Sequence, residues 1–128
     1  MNLLLDTHVL LWAAAMPQRL SPEACEMLEN SANILHFSAA SLWEVAIKAS
    51  LGRADFDIDA RLLRRGLLDN GYFELPVTSS HAVAVLSLPP LNKHPLDRLL
   101  LAQAISEGFV LLTADTQLMR YPGPLRQV

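Results

Sequence analysis

The sequence predicts an α/β protein, a three-layer α/β/α sandwich with a short, mainly parallel sheet of four or five strands. Two observations predict this class. Short apolar runs alternate along the chain with longer segments of helical spacing, and turn residues separate them. The first run, Asn2 to Leu5, is apolar after Asn2, as is typical of a strand buried on both faces. Such alternation indicates βαβ units, whose helices cover both faces of a parallel sheet.

Capping and breaking residues set the limits of each element. Pro17 ends the first helix, Ser21 and Pro22 open the second, and Gly108 is a C-terminal stop. In chain order we expect strands at 2–5, 34–37, 72–77 and 109–113, with 125–128 as the candidate fifth. We expect helices from residue 9 to Pro17, at 22–31, 38–51, 59–69, 79–88 and 95–107, and a short one capped by Asp115.

Length and charge limit the function classes. The chain has 128 residues and a net charge of −3, which predicts one domain over residues 1–128. This charge argues against a protein that coats nucleic acid through bulk positive charge, but not against a nuclease with a local basic rim. Cys25 is the only cysteine, so an internal disulfide is excluded, and no Cys/His set around it indicates structural zinc.

The sequence carries no membrane or export signal. No run reaches the 18 or more apolar residues that a membrane span needs. The apolar start lacks a basic leader region, and Asp6 and His8 interrupt it. We therefore expect a cytoplasmic protein without a membrane partner.

Four carboxylates are candidates for a shared site. Asp6 directly follows the first predicted strand and Asp115 lies just past the fourth, so both face the same rim of a parallel sheet. Glu44 lies in the helix after the second strand, and Asp97 in the first turn of the helix before the fourth. Each also has a structural explanation: helix caps for the first two, an i,i+4 pair with Lys48 for Glu44, and the helix dipole for Asp97.

The setting of these acids favours a common role. Glu44 is the only Asp, Glu, Lys or Arg within 34–47, and Asp97 precedes a strongly apolar helix. Acids in apolar stretches cost free energy unless something binds them. At about 5 Å and an effective dielectric constant near 20, each pair of carboxylates repels by roughly 3 kcal/mol. A hard cation relieves that repulsion, and an all-oxygen ligand set selects Mg²⁺ or Mn²⁺.

Four sequence blocks carry these acids: Leu3–Trp12, Ser41–Lys48, Pro95–Ala104 and Leu112–Asp115. Together they resemble the PIN-domain ribonucleases, above all the VapC-like toxins of toxin–antitoxin pairs, in the family's order and approximate spacing. The resemblance covers the chain from Met1 to about Tyr121. It implies a Mg²⁺- or Mn²⁺-dependent endoribonuclease that cuts single-stranded or looped RNA, is held inactive by a cognate antitoxin protein, and forms a homodimer.

Matched position by position, the resemblance assigns the site to Asp6, Glu44, Asp97, Asp115 and the hydroxyl residue Thr113. It implies that the three aspartates hold one or two ions and that Glu44 completes the set, directly or through water. Thr113 is expected to orient a water or a phosphate oxygen. One departure precedes the third block: near relatives often carry His-x-Asp where this chain has Asn92-Lys93-His94, which leaves the effect on metal affinity open.

Basic residues are candidates for RNA binding. Arg61, Arg64 and Arg65 share one face of a predicted helix, with Lys48 and Arg53 expected nearby. They either contact RNA phosphates or form a solvated helix face. Arg98 either contacts the RNA backbone or pairs with a neighbouring acid.

Two alternative functions stay open. A small metal-dependent phosphatase would use Asp6 as nucleophile and normally a second acid two residues on, where this chain has His8. A non-catalytic PIN-like interaction module would use its acidic pocket only to receive an arginine from a partner. Trp12 and Trp43 lie on apolar helix faces and are expected in the core. Remaining apolar helix surface is expected to contact the dimer partner or the antitoxin.

Overall fold

The structure is a computed structural model that describes residues 1–52, 56–91 and 94–128. Its strands are β1 (Asn2–Leu5), β2 (Ile34–Ser38), β3 (Phe73–Leu75), β4 (Val110–Thr113) and β5 (Leu125–Gln127). Its helices are α1 (Thr7–Ala15), α2 (Pro22–Glu29), α3 (Ala39–Ser50), α4 (Ala60–Asp69), α5 (Ser79–Ala84) and α6 (Pro95–Glu107). Short 3₁₀ turns lie at Pro17–Arg19, Val85–Ser87 and Leu118–Arg120. None of the helices described here is long and apolar enough to cross a membrane.

The sheet has the strand order β3-β2-β1-β4-β5, and each neighbouring pair is parallel. The prediction of an α/β fold with a short parallel sheet is therefore confirmed, and the candidate fifth strand forms. β3 is shorter than predicted and ends at Leu75. Pro76 follows it and has no N–H group to continue the ladder.

Alternation along β1 produces the three layers. Leu3 and Leu5 face one side of the sheet, where they pack with residues of α1 and α4. Leu4 faces the other side and packs with Leu100 and Leu101 of α6. The three leucines of β1 and the two of α6 are fully buried. The first strand of the chain therefore contributes to the cores on both sides of the sheet. This burial accounts for its uninterrupted apolar sequence.

The local signals for helix ends hold at two sites. Ser38 caps α3, its Oγ accepting a hydrogen bond of 3.0 Å from the Ala40 N–H. Gly108 ends α6 with φ of 73°, a left-handed conformation that favours glycine. The helix predicted over 79–88 instead divides into α5 and a 3₁₀ turn.

The prediction that Trp43 belongs to the core is wrong, because its side chain is 61% exposed. α3 turns Ser41, Glu44 and Val45 inward, and Trp43 lies on the opposite side of the helix. Trp12 of α1 is half-buried.

Candidate active site

The predicted acids gather where the strand order reverses. From β1 the chain builds β2 and β3 on one side and then β4 and β5 on the other. The crevice at the carboxyl ends of β1 and β4 is therefore the topological switch point, where open α/β sheets bind ligands. Asp6 directly follows β1, and its N–H donates to the Leu112 carbonyl of β4 at 2.9 Å. Thr113 ends β4, and Asp115 lies just beyond it.

Asp6 serves both the fold and the crevice. Its side chain is buried, and Oδ1 accepts a hydrogen bond of 2.8 Å from the Val9 N–H, which caps α1. Burial raises the pKa of the Asp6 carboxyl, while hydrogen bonds from the Thr113 hydroxyl and the Val9 N–H lower it in part. Thr113 Oγ1 in turn accepts from the Asp115 N–H at 3.0 Å. Thr113 thus connects two of the acids, a role that the sequence did not reveal.

The pKa of the Asp97 carboxyl responds to the charges of the three other acids. Burial is the largest cause that raises the pKa of its carboxyl, and the charges of Asp6, Asp115 and Glu44 raise it further. A positive charge on His94 acts in the opposite sense; its Nδ1 lies 3.5 Å from Asp97 Oδ2 and 3.4 Å from the Asp97 backbone nitrogen. Carboxylates from four different parts of the chain therefore lie close enough to act on one another electrostatically.

Glu44 and Asp115 also make the local contacts that the sequence predicts. Glu44 of α3 is buried, and its Oε2 lies 3.1 Å from Lys48 Nζ, so the i,i+4 pair forms. Asp115 Oδ1 accepts from the Gln117 N–H at 2.8 Å and caps the turn after β4. Glu44 and Asp115 thus each make a local structural contact and also contribute a carboxylate to the crevice.

The donor chemistry of the crevice fits a hard divalent cation. All four acids offer carboxylate oxygens, the ligands that Mg²⁺ and Mn²⁺ prefer, and their mutual repulsion is what a cation relieves. Within residues 1–52, 56–91 and 94–128, no group of three or more His, Cys, Asp or Glu side chains is arranged to hold a metal ion. Coordination of one ion therefore requires these side chains to approach one another.

The basic candidates lie in different environments. Arg98 Nη2 donates to the carbonyls of Val85 and Leu88 at 3.3 and 3.2 Å, which joins α6 to the turn after α5. Arg64 of α4 pairs with Glu74 at 3.1 Å. The remaining two arginines of α4, Arg61 and Arg65, are exposed. The predicted neighbour Arg53, and the Asn92 and Lys93 of the departure before α6, lie outside the described residues.

A buried polar network beside the acids escaped the sequence analysis. Ser38 Oγ donates to Gln103 Oε1 at 2.6 Å, and Gln103 Nε2 lies 3.4 Å from both the Pro76 carbonyl and His81 Nδ1. His81 Nε2 lies 2.9 Å from Glu107 Oε2. The signal that could have revealed it is Gln103 itself, a fully buried amide in an apolar stretch of α6.

Two cavities of similar size flank α1. One, of about 630 Å³, is lined by residues that include His8, Trp12, Arg19 and Lys48. The other, of about 660 Å³, lies between α1 and α4. Among the described residues, the lining of neither cavity includes any of the four acids. The first cavity borders the acids, because Lys48 pairs with Glu44 and His8 acts electrostatically on Asp6.

Comparison with known proteins agrees with this arrangement. The family model of the PIN domain matches residues 3–124. Ribonuclease VapC22 of Mycobacterium tuberculosis is 35% identical over 127 residues, which cover 97% of this chain and 96% of the relative. Among solved structures, VapBC2 from Rickettsia felis, bound to a fragment of its promoter DNA, superposes with a TM-score of 0.75 at 18% identity, covering 100% of this chain and 99% of that one. VapBC-1 from nontypeable Haemophilus influenzae gives a TM-score of 0.58 at 18% identity, covering 94% and 91%. The chain therefore belongs to the PIN-domain family.

Proposed function

We propose that this chain is a metal-dependent endoribonuclease and the toxin of a toxin–antitoxin pair. Its membership of the PIN-domain family and its 35% identity to a VapC ribonuclease support the activity. The solved structures with similar folds include complexes named VapBC, which supports an antitoxin as partner. Asp6, Glu44, Asp97 and Asp115 are the proposed metal ligands, and Mg²⁺ or Mn²⁺ the proposed ion.

One observation carries the proposal: burial raises the pKa of the Asp97 carboxyl, and the charges of three other carboxylates from separate parts of the chain raise it further. A fold that needed these residues only as helix caps would have no reason to bring their charges together. Mutual repulsion of this kind is typical of sites that bind a cation or a proton in function. RNA cleavage is a reaction in which such a cation site acts on a phosphodiester.

The chain's own residues prepare the site. When bound, the divalent cation supplies an activated water and neutralises charge on the scissile phosphate. Thr113 is fully buried, and its Oγ1 accepts from the Asp115 N–H, so its hydroxyl proton is free to hold the Asp6 carboxylate. The Val9 N–H holds the same carboxylate from the start of α1. Asp6 is therefore fixed before metal or RNA arrives.

Cleavage of a labelled RNA by the purified chain tests the activity. We expect cleavage with Mn²⁺ or Mg²⁺, none with excess EDTA, and a loss of at least about a hundredfold in Asp6→Asn. Asn still caps a helix, so this variant removes the charge and keeps the start of α1. The matched control is Glu26→Gln, which removes an exposed carboxylate from α2. Wild-type cleavage rates in Asp6→Asn would contradict the assignment.

The same samples separate the two alternatives. A small phosphatase releases phosphate from p-nitrophenyl phosphate and leaves RNA uncut. A non-catalytic interaction module cuts neither substrate and does not need to bind Mn²⁺, which isothermal titration measures directly.

Homodimer formation and antitoxin binding are parts of the proposal that rest on exposed apolar residues. Trp43 and Ile47 of α3 and Leu51 directly after its end follow one another at four-residue spacing and are exposed, which forms a stripe typical of protein contacts. Light scattering of wild type and Trp43→Ser tests the dimer. Co-expression with the protein encoded beside the chain tests the antitoxin. We also propose that residues 1–128 are one nuclease domain that acts in the cytoplasm, where RNA substrates are present.

A further inference from the structure

We propose that the cavity of about 630 Å³ beside the acids binds an unpaired RNA nucleotide next to the scissile phosphate, with its base against Trp12. This inference rests on the proposed nuclease function and names the part of the substrate that the chain grips. The volume lies in the usual range of ligand sites, about 300–1,000 Å³.

The position of the cavity is the first argument. Two of its lining residues lie beside the acids: Lys48 Nζ lies 3.1 Å from Glu44 Oε2, and His8 follows Asp6 by two residues in the first turn of α1. The cavity and the acidic crevice therefore share a wall. A strand whose phosphate enters the crevice has neighbouring nucleotides directly beside it, and this cavity is a space that can receive one.

The lining chemistry is the second argument. The Arg19 guanidinium lies 5.3 Å from the centre of the Trp12 ring, and Lys48 Nζ lies 6.0 Å from the centre of the Phe56 ring. Aromatic faces beside cations are what single-stranded nucleic acid uses, because bases stack on the rings and phosphates meet the charges. Within the part of the chain that the structure describes, the lining also holds one carboxylate, Asp57, so the two cations Arg19 and Lys48 outnumber it in a chain whose net charge is −3. This cavity fits an RNA strand better than the acidic crevice alone does.

A contact between a base and Trp12 would account for the single-stranded or looped RNA that the resemblance implies. Stacking on an aromatic ring accepts any base but requires that the base leave its own stack. Paired RNA cannot offer such a base without first unpairing. We therefore expect the cavity to select unpaired segments with weak preference among bases.

Fluorescence tests the contact directly. The chain has two tryptophans, and Trp43→Phe leaves Trp12 as the only one. We expect a short single-stranded RNA, titrated with Ca²⁺ in place of Mn²⁺, to quench Trp12 fluorescence saturably, and the same sequence as a duplex to quench it far less. Unchanged Trp12 fluorescence in the presence of an RNA that the protein cleaves would overturn the proposal.

Kinetics provides a second, independent test. Trp12→Leu should raise KM for single-stranded RNA roughly five- to hundredfold, and Trp12→Phe should keep most of the affinity. Mn²⁺ affinity and kcat should stay near wild type in both variants. Because Trp12 is half-buried, the exposed Arg19 supplies a variant that spares the core: Arg19→Gln should raise KM and reduce the slope of log KM against log salt by about one.

Arg126→Gln is the matched control, since Arg126 is equally a surface arginine but pairs with Glu23 and does not line the cavity. Equal KM values for wild type, Trp12→Leu and Arg19→Gln would overturn the proposal. Failure of the nuclease proposal gives a different result, because a wild-type chain that cuts no RNA still reports binding, or its absence, through Trp12 fluorescence.

Discussion

Two polar clusters lie near the contact between α3 and α6, and they solve the problem of buried polarity in opposite ways. In the network of Ser38, Gln103, His81 and Glu107, which joins the end of β2 to α6 and α5, each donor meets an acceptor. In the acidic crevice, carboxylates lie near other carboxylates: burial is the largest cause that raises the pKa of the Asp97 carboxyl, and the charges of Asp6, Asp115 and Glu44 raise it further.

The network is complete without charge on its histidine. His81 Nδ1 accepts from the Thr78 N–H at 3.1 Å, so it carries no proton, and Nε2 is the atom that donates to Glu107. A satisfied network stabilises the fold and needs no ligand. The contrast teaches that buried polar groups whose hydrogen bonds are all satisfied within the protein are structural. Buried groups of like charge that repel one another indicate a site for a ligand.

Removing one acid should have the largest effect. Asp97→Asn keeps the side-chain shape but removes a proposed metal ligand, so we expect RNA cleavage to fall at least about a hundredfold and Mn²⁺ binding to weaken. Cleavage assays and isothermal titration measure both. Full activity in this variant would mean that the repulsion at Asp97 has no functional purpose.

Breaking the network should affect stability and not chemistry. Gln103→Met keeps the volume but leaves the buried Ser38 hydroxyl without its acceptor, so the free energy of unfolding should fall by about 1–3 kcal/mol. Urea unfolding measures the loss, and Ser106→Ala, an exposed change on the same helix, is the control. We expect Mn²⁺ affinity to stay near wild type. A hundredfold loss of Mn²⁺ affinity would show that the two clusters are one functional unit.

The pH dependence of stability should distinguish the clusters as well. Because the pKa of Asp97 is raised on folding, the folded state binds that proton more tightly than the unfolded state. The resulting penalty is absent below the ordinary aspartate pKa of about 4 and grows as pH rises through the raised value.

In EDTA, Asp97→Asn should therefore be more stable than wild type at pH 7, by on the order of 1 kcal/mol, as is common when a functional site is relieved. The difference should shrink as the pH falls toward 4, and excess Mn²⁺ should reverse it by stabilising the wild type. Urea unfolding at several pH values measures this; a gap that does not change with pH would contradict the electrostatic explanation.

The smallest expected effect on stability and metal affinity comes from removing the positive charge of Lys48. Lys48→Met removes the partner of Glu44 from a partly exposed pair, which should cost less than about 1 kcal/mol of stability. Removing a positive charge beside the crevice should also tighten Mn²⁺ binding, by about two- to fivefold. Isothermal titration checks the sign, and weaker binding would mean that Lys48 helps to form the site.

Much of the fold followed from local signals. Ser38 and Gly108 define helix ends through their own backbone chemistry, and the apolar run of β1 predicts burial on both faces. The acids could be grouped because parallel strands end at one edge. Their arrangement relative to a metal ion could not, because it depends on side-chain positions that no spacing encodes.

The errors have specific causes. α3 carries apolar residues on both sides, so its spacing did not show that Trp43 faces outward. Ser38 and Gln103 are 65 residues apart in sequence, and nothing near either residue predicts their contact. The sequence also did not show that Arg98 Nη2 donates to two backbone carbonyls, acceptors that every residue type offers equally.

The hydrogen bond from the Asp6 N–H to the Leu112 carbonyl extends the ladder between the two central strands one step beyond β1. Its amide should therefore exchange with solvent deuterium only when the sheet itself opens, so its protection should match that of the most stable strands. In the metal-free protein the backbone under the crevice would then stay rigid. Any movement on metal binding would be confined to the side chains.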